Sequence, residues 1–332
     1  MGVGGRGVRW GVLSAAGINR KVLPAVADSR AVDIVAIASR SHARAVEAAR
    51  AYGIPCAHAS YEDLLADPDV EAVYIPLPNG LHVEWTLAAL GAGKHVLCEK
   101  PLSPRPEDVE RCFDAAEAAG LVLSEAFMWR YHPQADRLVE LVRGGAIGEL
   151  RLVRSTFSFT LAREEDVRWD PDLDGGSLLD VGSYCVSGSR LLAGEPEGVK
   201  AEAVEAPSGV DSRFAATMRF PGDVLATFDC GFDLPPRDEL EAIGSEGSLF
   251  LDDPWHSVEP VIELRRAAGG VERIELPREN PYRLELEEVS AAIRESRAPR
   301  LGREDALGQA RAIAALRRSA ATGSVVDMQG AS

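Results

Sequence analysis

Over the first part of the chain, short apolar runs alternate with amphipathic stretches. Val8 to Leu13, Asp33 to Ala38, Val70 to Ile75, His95 to Cys98 and Leu121 to Ser124 have strand length and buried character. Arg44 to Tyr52, Leu81 to Gly91 and Pro106 to Ala119 instead space their apolar residues as one face of a helix. This strand–helix alternation implies right-handed crossovers and a parallel, doubly wound sheet. Tyr131 to Arg143 continues as a helix. From Leu150 the texture changes: Leu150 to Phe159, Phe214 to Phe220 and Val224 to Phe232 are longer strands, with one marked helix at Gly176 to Leu192. That pattern fits a mostly antiparallel sheet with helices on one face. Pro221-Gly222 and Gly269-Gly270 read as hairpin turns. Two helices, Tyr282 to Glu295 and Arg303 to Ala321, close the chain, and the Gly-rich start, Gly2 to Gly7, reads as frayed. The expected fold is therefore α/β. Residues 1–125 form the doubly wound domain and 126–332 an α+β domain on an open sheet, with the terminal helices packing back on the first domain as a variant.

Composition narrows the partners. With 332 residues and 46% hydrophobic content, the chain can bury a core in each of two domains. No apolar run approaches the ~20 residues of a membrane span, and Met1 to Arg9 lacks a signal-peptide core, so a soluble cytoplasmic protein is expected. The formal charge of −16 argues against nucleic acid and anionic membrane. A neutral ligand, or one held by a few local cations, is expected. The five cysteines are odd in number and lack Cys-x-x-Cys spacing, so no metal site or disulfide framework is indicated. An open antiparallel sheet with apolar residues on its outer face needs covering, and a homodimer or homotetramer follows.

Candidate chemistry starts at Lys100, which directly follows the strand His95 to Cys98 and Glu99, where an α/β sheet opens onto its ligand crevice. The alternative is a solvated strand-end lysine before a strand-stopping proline. Downstream, Asp180-Val181-Gly182-Ser183-Tyr184 offers a carboxylate and a second proton-transfer group on the opening turns of a helix. After the first strand, Ser14-Ala15-Ala16-Gly17-Ile18-Asn19 occupies the place of Gly-x-Gly-x-x-Gly, with Ser14, Ala16 and Asn19 at the glycine positions. Small residues still admit a pyrophosphate, and Gly17, Ile18 and Asn19 can open a helix toward it; the alternative is an ordinary strand-to-helix turn. At the second strand's end stand Ser39 and Arg40, where an NAD enzyme places an acid. A guanidinium and hydroxyls suit a 2′-phosphate, and the arginine plane can also stack on adenine, which points to NADP(H) over NAD(H); the alternative is a surface arginine near a helix start.

Three segments then carry a resemblance: Ala72-Val73-Tyr74-Ile75-Pro76-Leu77-Pro78-Asn79-Gly80-Leu81-His82, Ala92-Gly93-Lys94-His95-Val96-Leu97-Cys98-Glu99-Lys100-Pro101-Leu102, and Gly175-Gly176-Ser177-Leu178-Leu179-Asp180-Val181-Gly182-Ser183-Tyr184. In this order they resemble the glucose–fructose oxidoreductase and inositol dehydrogenase family (Gfo/Idh/MocA). The resemblance implies an N-terminal Rossmann domain, a C-terminal domain with an open sheet, and nicotinamide-dependent oxidation or reduction of sugars, cyclitols, diols or ketones. Glu125-Ala126-Phe127-Met128-Trp129-Arg130-Tyr131-His132-Pro133 and Tyr184 resemble its branch of NADP-dependent D-xylose 1-dehydrogenases and dimeric dihydrodiol dehydrogenases. Many members carry histidine where this chain has Tyr184, and the glycine-poor turn is a second departure.

Roles follow from that resemblance. Tyr184 exchanges a proton with a substrate oxygen, and because a free phenol has a pKa near ~10, the Lys100 ammonium assists it. Asp180 orients the lysine or a substrate hydroxyl, or is a helix N-terminal carboxylate. A cis peptide before Pro101 is implied. Pro76, Leu77, Pro78, Asn79 and His82 form a nicotinamide-ribose wall, although His82 could equally pack locally, and Glu99 is a further cofactor-binding residue. Trp129 and Arg130 border nicotinamide and substrate. Arg168, Trp169 and Asp170 are weaker candidates for a sugar-facing loop, the alternative being packing and surface ion pairs. The expected function is an NADP(H)-dependent aldose 1-dehydrogenase acting on a sugar such as D-xylose. The alternatives are a ketosugar reductase or sugar 3-dehydrogenase, a trans-dihydrodiol dehydrogenase and, remotely, a noncatalytic NADP(H)-binding sensor.

Overall fold

A computed structural model describes residues 7–163 and 165–328; most of the Gly-rich start lies outside them. Two compact units emerge. One holds the chain up to Phe127 together with Tyr282–Leu307, and the other holds Met128–Pro281 and the chain from Gly308.

The first unit is built on strands β1 (Val8–Leu13), β2 (Val32–Ala38), β3 (Cys56–His58), β4 (Ala72–Ile75), β5 (His95–Glu99) and β6 (Leu123–Ala126). They form a six-stranded parallel sheet in the order β3-β2-β1-β4-β5-β6. Helices α1 (Asn19–Val26), α2 (His42–Tyr52), α3 (Tyr61–Ala66), α4 (His82–Gly91) and α5 (Pro106–Ala119) make the crossovers. Apolar runs such as Ala72–Ile75 are buried throughout, as a sheet covered on both faces requires. β3 and α3 are too short, three and six residues, to carry a periodicity of their own.

The second unit opens with a 3₁₀ turn, Met128–Tyr131, and α6 (Pro133–Arg143). Its sheet has nine strands: β7 (Leu150–Thr160), β8 (Gly198–Glu205), β9 (Asp211–Phe220), β10 (Val224–Gly231), β11 (Asp233–Gly244), β12 (Gly247–Leu251), β13 (Val261–Arg266), β14 (Val271–Glu275) and β15 (Val326–Asp327). The order is β14-β13-β12-β11-β7-β10-β9-β8-β15, antiparallel except where β10 runs parallel to β7. α7 (Ser183–Ala193) lies on one face, where a Cβ on Gly188 would come within 3.5 Å of Leu240 of β11.

The opposite face corrects an expectation. Around one concavity it mixes Arg154, Lys200, Asp229, Arg237, Glu239 and Glu241 with apolar Ala215 and Phe250, and Asp229 and Arg237 are ion-paired. Alternation explains the difference: the apolar residues of these strands, such as Leu240 and Ala242, point to the α7 side, which leaves charge on the other.

Two closing helices follow, α8 (Pro281–Glu295) and α9 (Arg303–Thr322). α8 is clasped into the first unit. Trp10 Nε1 donates to Ser290 Oγ at 3.0 Å, and Arg294 binds both carboxylate oxygens of Glu71, at 2.8 and 2.9 Å. That hydrogen bonding from Arg294 holds the Glu71 carboxyl down at about 2. α9 serves the second unit through Gln309, which donates to Ser183 O at 2.7 Å, and through Ser319, which accepts from Ala201 N–H.

Candidate active site

The turn after β1 keeps a glycine's backbone without a glycine. Ser14 holds φ at 141°, where a side chain is strained. Asn19 closes the turn: its Nδ2 donates to Ser14 O at 2.8 Å and its backbone N–H to Ala16 O at 3.2 Å. Between them Gly17 is open, the tip of Arg20 being the nearest atom to a built Cβ at 3.6 Å, and Ile18 is the N-cap of α1. Strand order reverses between β1 and β4, the position at which such sheets take ligands. At the end of β2, Ser39 is buried and its Oγ accepts from Ser41 N–H, while Arg40 is exposed. Arg44 of α2 reaches back to donate to Ala15 O at 3.0 Å. An open turn, a strained serine at its first position and an exposed guanidinium at the next strand end fit a phosphorylated dinucleotide.

After β4, Pro76, Leu77 and Pro78 lead into a 3₁₀ turn, Asn79–Leu81. His82 is fully buried, and both ring nitrogens face carbonyls, Nδ1 that of Pro101 and Nε2 that of Leu77, each at 2.8 Å. The ring braces the Leu77 loop against the Lys100–Pro101 turn. This differs from the wall expected of it: the imidazole is spent on backbone and acts through the loops it ties. The Lys100–Pro101 bond is cis. Leu102 N–H donates to the buried Glu125 Oε1 at 2.7 Å, which fixes the turn that presents Lys100.

Next to Lys100 the expected Glu99 gathers three residues that sequence reading missed, Tyr74, Tyr282 and Glu285. Tyr74 Oη donates to Glu99 Oε1 at 2.5 Å. Glu285 of α8 is buried, its Oε1 has no hydrogen-bond partner among the described residues, and burial, reinforced by the negative charge of Glu99, pushes its carboxyl well up. Burial likewise raises the phenols of Tyr74 and Tyr282, with Glu99 adding to both. In the sequence Glu285 is one more acid on an amphipathic helix, so no local signal marks it.

In the second unit the expected single helix from Gly176 to Leu192 divides. Leu178–Gly182 is a π-helical turn, and α7 begins after it. Its packing is tight, since a Cβ on Gly182 would come within 2.8 Å of Cys230 Sγ on the sheet. The bulge turns Tyr184 into an aromatic enclosure. Phe157 of β7 meets its ring edge-on at 5.3 Å, Trp255 lies at 5.9 Å, and its hydroxyl donates to Met128 Sδ at 3.4 Å. Trp255 is fully buried, donates from Nε1 to Thr156 O, and fits only because residue 188 is glycine: a Cβ there would lie 2.9 Å from its ring. Trp255→Ala is expected to cost about 3–5 kcal/mol, the usual loss for a truncated buried aromatic. Denaturant unfolding measures this, and Trp255→Phe should recover much of it.

Asp180 finds its partner in Arg168, whose Nε donates to Oδ2 at 2.6 Å; Arg168 Nη1 also reaches Asp166 at 3.1 Å. The Asp180 charge raises the guanidinium's pKa further, burial opposing. The two expected roles, carboxylate orienter and sugar-facing arginine, thus meet in one ion pair. Trp169 packs edge-on against Phe232 at 5.3 Å, and Asp170 Oδ1 accepts from Asp172 N–H at 2.9 Å, so both shape this loop. Trp129 is buried against Trp255 at 5.1 Å, and the Arg130 guanidinium lies 5.8 Å from the Trp129 ring centroid with Nη1 donating to Ser187 Oγ. In this unit Trp129 is core.

Comparison with known proteins agrees with this architecture. The sequence profile described as "Oxidoreductase family, NAD-binding Rossmann fold" matches residues 8–127, and that described as "GFO/IDH/MocA C-terminal domain" matches residues 136–250. A D-xylose 1-dehydrogenase (NADP(+)) of Haloferax volcanii is 41% identical over 327 residues, covering 96% of this chain and 99% of that protein. A dTDP-3,4-didehydro-2,6-dideoxy-alpha-D-glucose 3-reductase of Streptomyces violaceoruber is 40% identical over 276 residues, covering 81% and 80%. The crystal structure of a 3-ketoreductase from Actinomadura kijaniata, in complex with NADP and TDP-benzene, superposes with a TM-score of 0.90 at 33% identity, covering 95% of this chain and 98% of that one. The chain belongs to the Gfo/Idh/MocA oxidoreductase family.

Proposed function

We propose that this family member is an NADP(H)-dependent sugar oxidoreductase, and that its substrate is a free aldose such as D-xylose, oxidised at the anomeric carbon. The observation that carries the reading is the end-to-end similarity to a D-xylose 1-dehydrogenase (NADP(+)), 41% identical over 96% of the chain. The Tyr184 enclosure supports it chemically.

Ser14, Ala16, Gly17, Ile18 and Asn19 hold the pyrophosphate, Ser39 and Arg40 the 2′-phosphate, and Pro76, Leu77, Asn79 and Glu99 the nicotinamide ribose. NADP⁺, when bound, accepts the hydride. Tyr184 takes the proton of the C1 hydroxyl at its Oη, and the Lys100 ammonium stabilises the phenolate and the developing alkoxide. Asp180 fixes the loop of Arg168, Trp169 and Asp170 beside the π-helical turn, and His82 acts through the Lys100–Pro101 turn that it braces. Trp129 and Arg130 hold the Trp255 side of the Tyr184 enclosure. The second unit carries substrate binding, and its self-association in a cytoplasmic homodimer or homotetramer rests on the family resemblance, because the outer face of its sheet is largely charged.

A second reading, reduction of a ketosugar with the same residues run in reverse, draws on the 3-reductase at 40% identity and on the 3-ketoreductase structure. Crystal structures of lysine and tyrosine variants of that enzyme concern the same residue types as Lys100 and Tyr184. Product analysis separates the two. With D-xylose and NADP⁺ the expected product is a lactone or aldonic acid. A 3-keto sugar, or activity confined to ketosugar reduction with NADPH, transfers the assignment to the reductase. No turnover with any sugar or diol, despite NADPH binding, leaves a sensor.

A further inference from the structure

We propose that Asp238 and His256 form a hydroxyl-binding subsite that grips the polar edge of an uncharged sugar; the assignment rests on the sugar oxidoreductase reading above. Asp238 stands on β11 directly opposite Phe157 of β7, so both side chains leave the same face of the sheet. It is the α7 face, because Leu240, two residues on, approaches Gly188. After β12 the chain plunges Trp255 into the core, and that anchor delivers the next residue, His256, edge-on to Phe157 with ring centroids 5.7 Å apart. Phe157 also meets Tyr184 edge-on at 5.3 Å. One phenylalanine therefore separates the imidazole from the candidate proton-transfer phenol. A single sugar ring can rest its apolar side on such an aromatic and turn its hydroxyls to either flank.

The polar flank has the chemistry of a hydroxyl binder. His256 Nδ1 lies 3.0 Å from Asp238 Oδ2 and 4.0 Å from Asp253 Oδ1. A neutral ring that donates its Nδ1 hydrogen to a carboxylate keeps Nε2 as an acceptor, and a protonated one offers a second donor there, so a sugar hydroxyl can meet either form. Asp238 also accepts from Trp255 N–H at 3.4 Å, which fixes the carboxylate relative to the ring beside it. Both side chains remain reachable, with 31% of His256 and 22% of Asp238 exposed. Burial nonetheless raises the Asp238 carboxyl, against the pull of His256. Two carboxylates bracketing one imidazole favour hydroxyl donors and repel phosphate. The subsite thus suits a free sugar and not the diphosphate of a nucleotide sugar.

The test uses full-length His256→Gln and Asp238→Asn, with kcat and KM for D-xylose and its mono-deoxy analogues. Calorimetric titration of sugars into the NADPH-loaded protein provides a readout independent of turnover. Both variants are expected to lower kcat/KM chiefly through KM, by about 10–100-fold, as for loss of a hydrogen bond to a charged or polarised group. One deoxy analogue should show the same loss with the wild type and lose little more with the variants, the signature of a shared contact. NADPH affinity should stay within twofold or so of wild type. A lower unfolding temperature with unchanged KM and sugar affinity would make the pair a pin for its loop and overturn the proposal. Equal penalties for all deoxy analogues would do the same. If the wild type oxidises no aldose, the substrate reading fails separately, while any sugar it binds must still bind more weakly to both variants. No sugar bound by the wild type overturns the subsite as well.

Discussion

Tyr184→Phe lowers turnover about 10²–10⁴-fold, the usual contribution of a positioned general acid–base group, and leaves NADPH binding largely intact. The substitution removes one oxygen and nothing else. Phe157 and Trp255 pack against the ring, not the hydroxyl, so a phenylalanine keeps its place in the enclosure. Lys100→Met gives a loss of the same order, because it removes the charge that favours phenolate. The double variant should fall little below the worse single variant, since two residues that act as a unit are not additive. Single-turnover hydride transfer, followed by NADPH absorbance or fluorescence, isolates the chemical step. A Tyr184→Phe protein whose chemical step proceeds at the wild-type rate would remove the phenol from the mechanism.

The parallel sheet was legible because β1, β4 and β5 read as buried apolar runs, and β2, β4 and β5 are each followed by a helix with a clear period, whereas β3 and α3 are too short to show one. β11 was not. Pro235 and Pro236 interrupt it, and its pairing with β7 slips between Asp233 and Arg237 before resuming in register. β8, Gly198–Glu205, is rich in alanine, glutamate and lysine, a composition that strands usually avoid. Motifs marked Lys100 and Tyr184, but motifs carry no information about what encloses them. Trp255 and His256 come from a loop far along the chain from Tyr184, and Glu285 approaches Glu99 only because α8 folds onto the sheet. Arg168 and Asp180 each read as an independent site residue, whereas a 2.6 Å hydrogen bond makes them one unit. Ser14 shows the converse: the glycine signature is absent from the sequence, yet its backbone geometry persists.

Arg40→Ala weakens NADPH binding about 10–100-fold and changes NADH binding little. The side chain stands two residues past the end of β2 and is exposed, so its removal leaves no cavity and exacts no folding cost. Only NADP(H) presents a 2′-phosphate there. Charge-assisted hydrogen bonds to such a group are roughly twice as strong as neutral ones, and a guanidinium can make two at once. Ser39 and Ser41 are committed partly to each other, Ser39 Oγ accepting from Ser41 N–H, so they replace the lost cation poorly. Arg44 is held by the carbonyl of Ala15 and can shift only by releasing the turn after β1. The expected loss should shrink as salt rises, because the contact is ionic and partly solvent-exposed. Fluorescence titration of both cofactors against wild type and Arg40→Ala, at two ionic strengths, measures the discrimination directly. Equal losses for NADPH and NADH would show that the arginine stacks on adenine without reading the phosphate, and a wild type that prefers NADH would remove the assignment altogether.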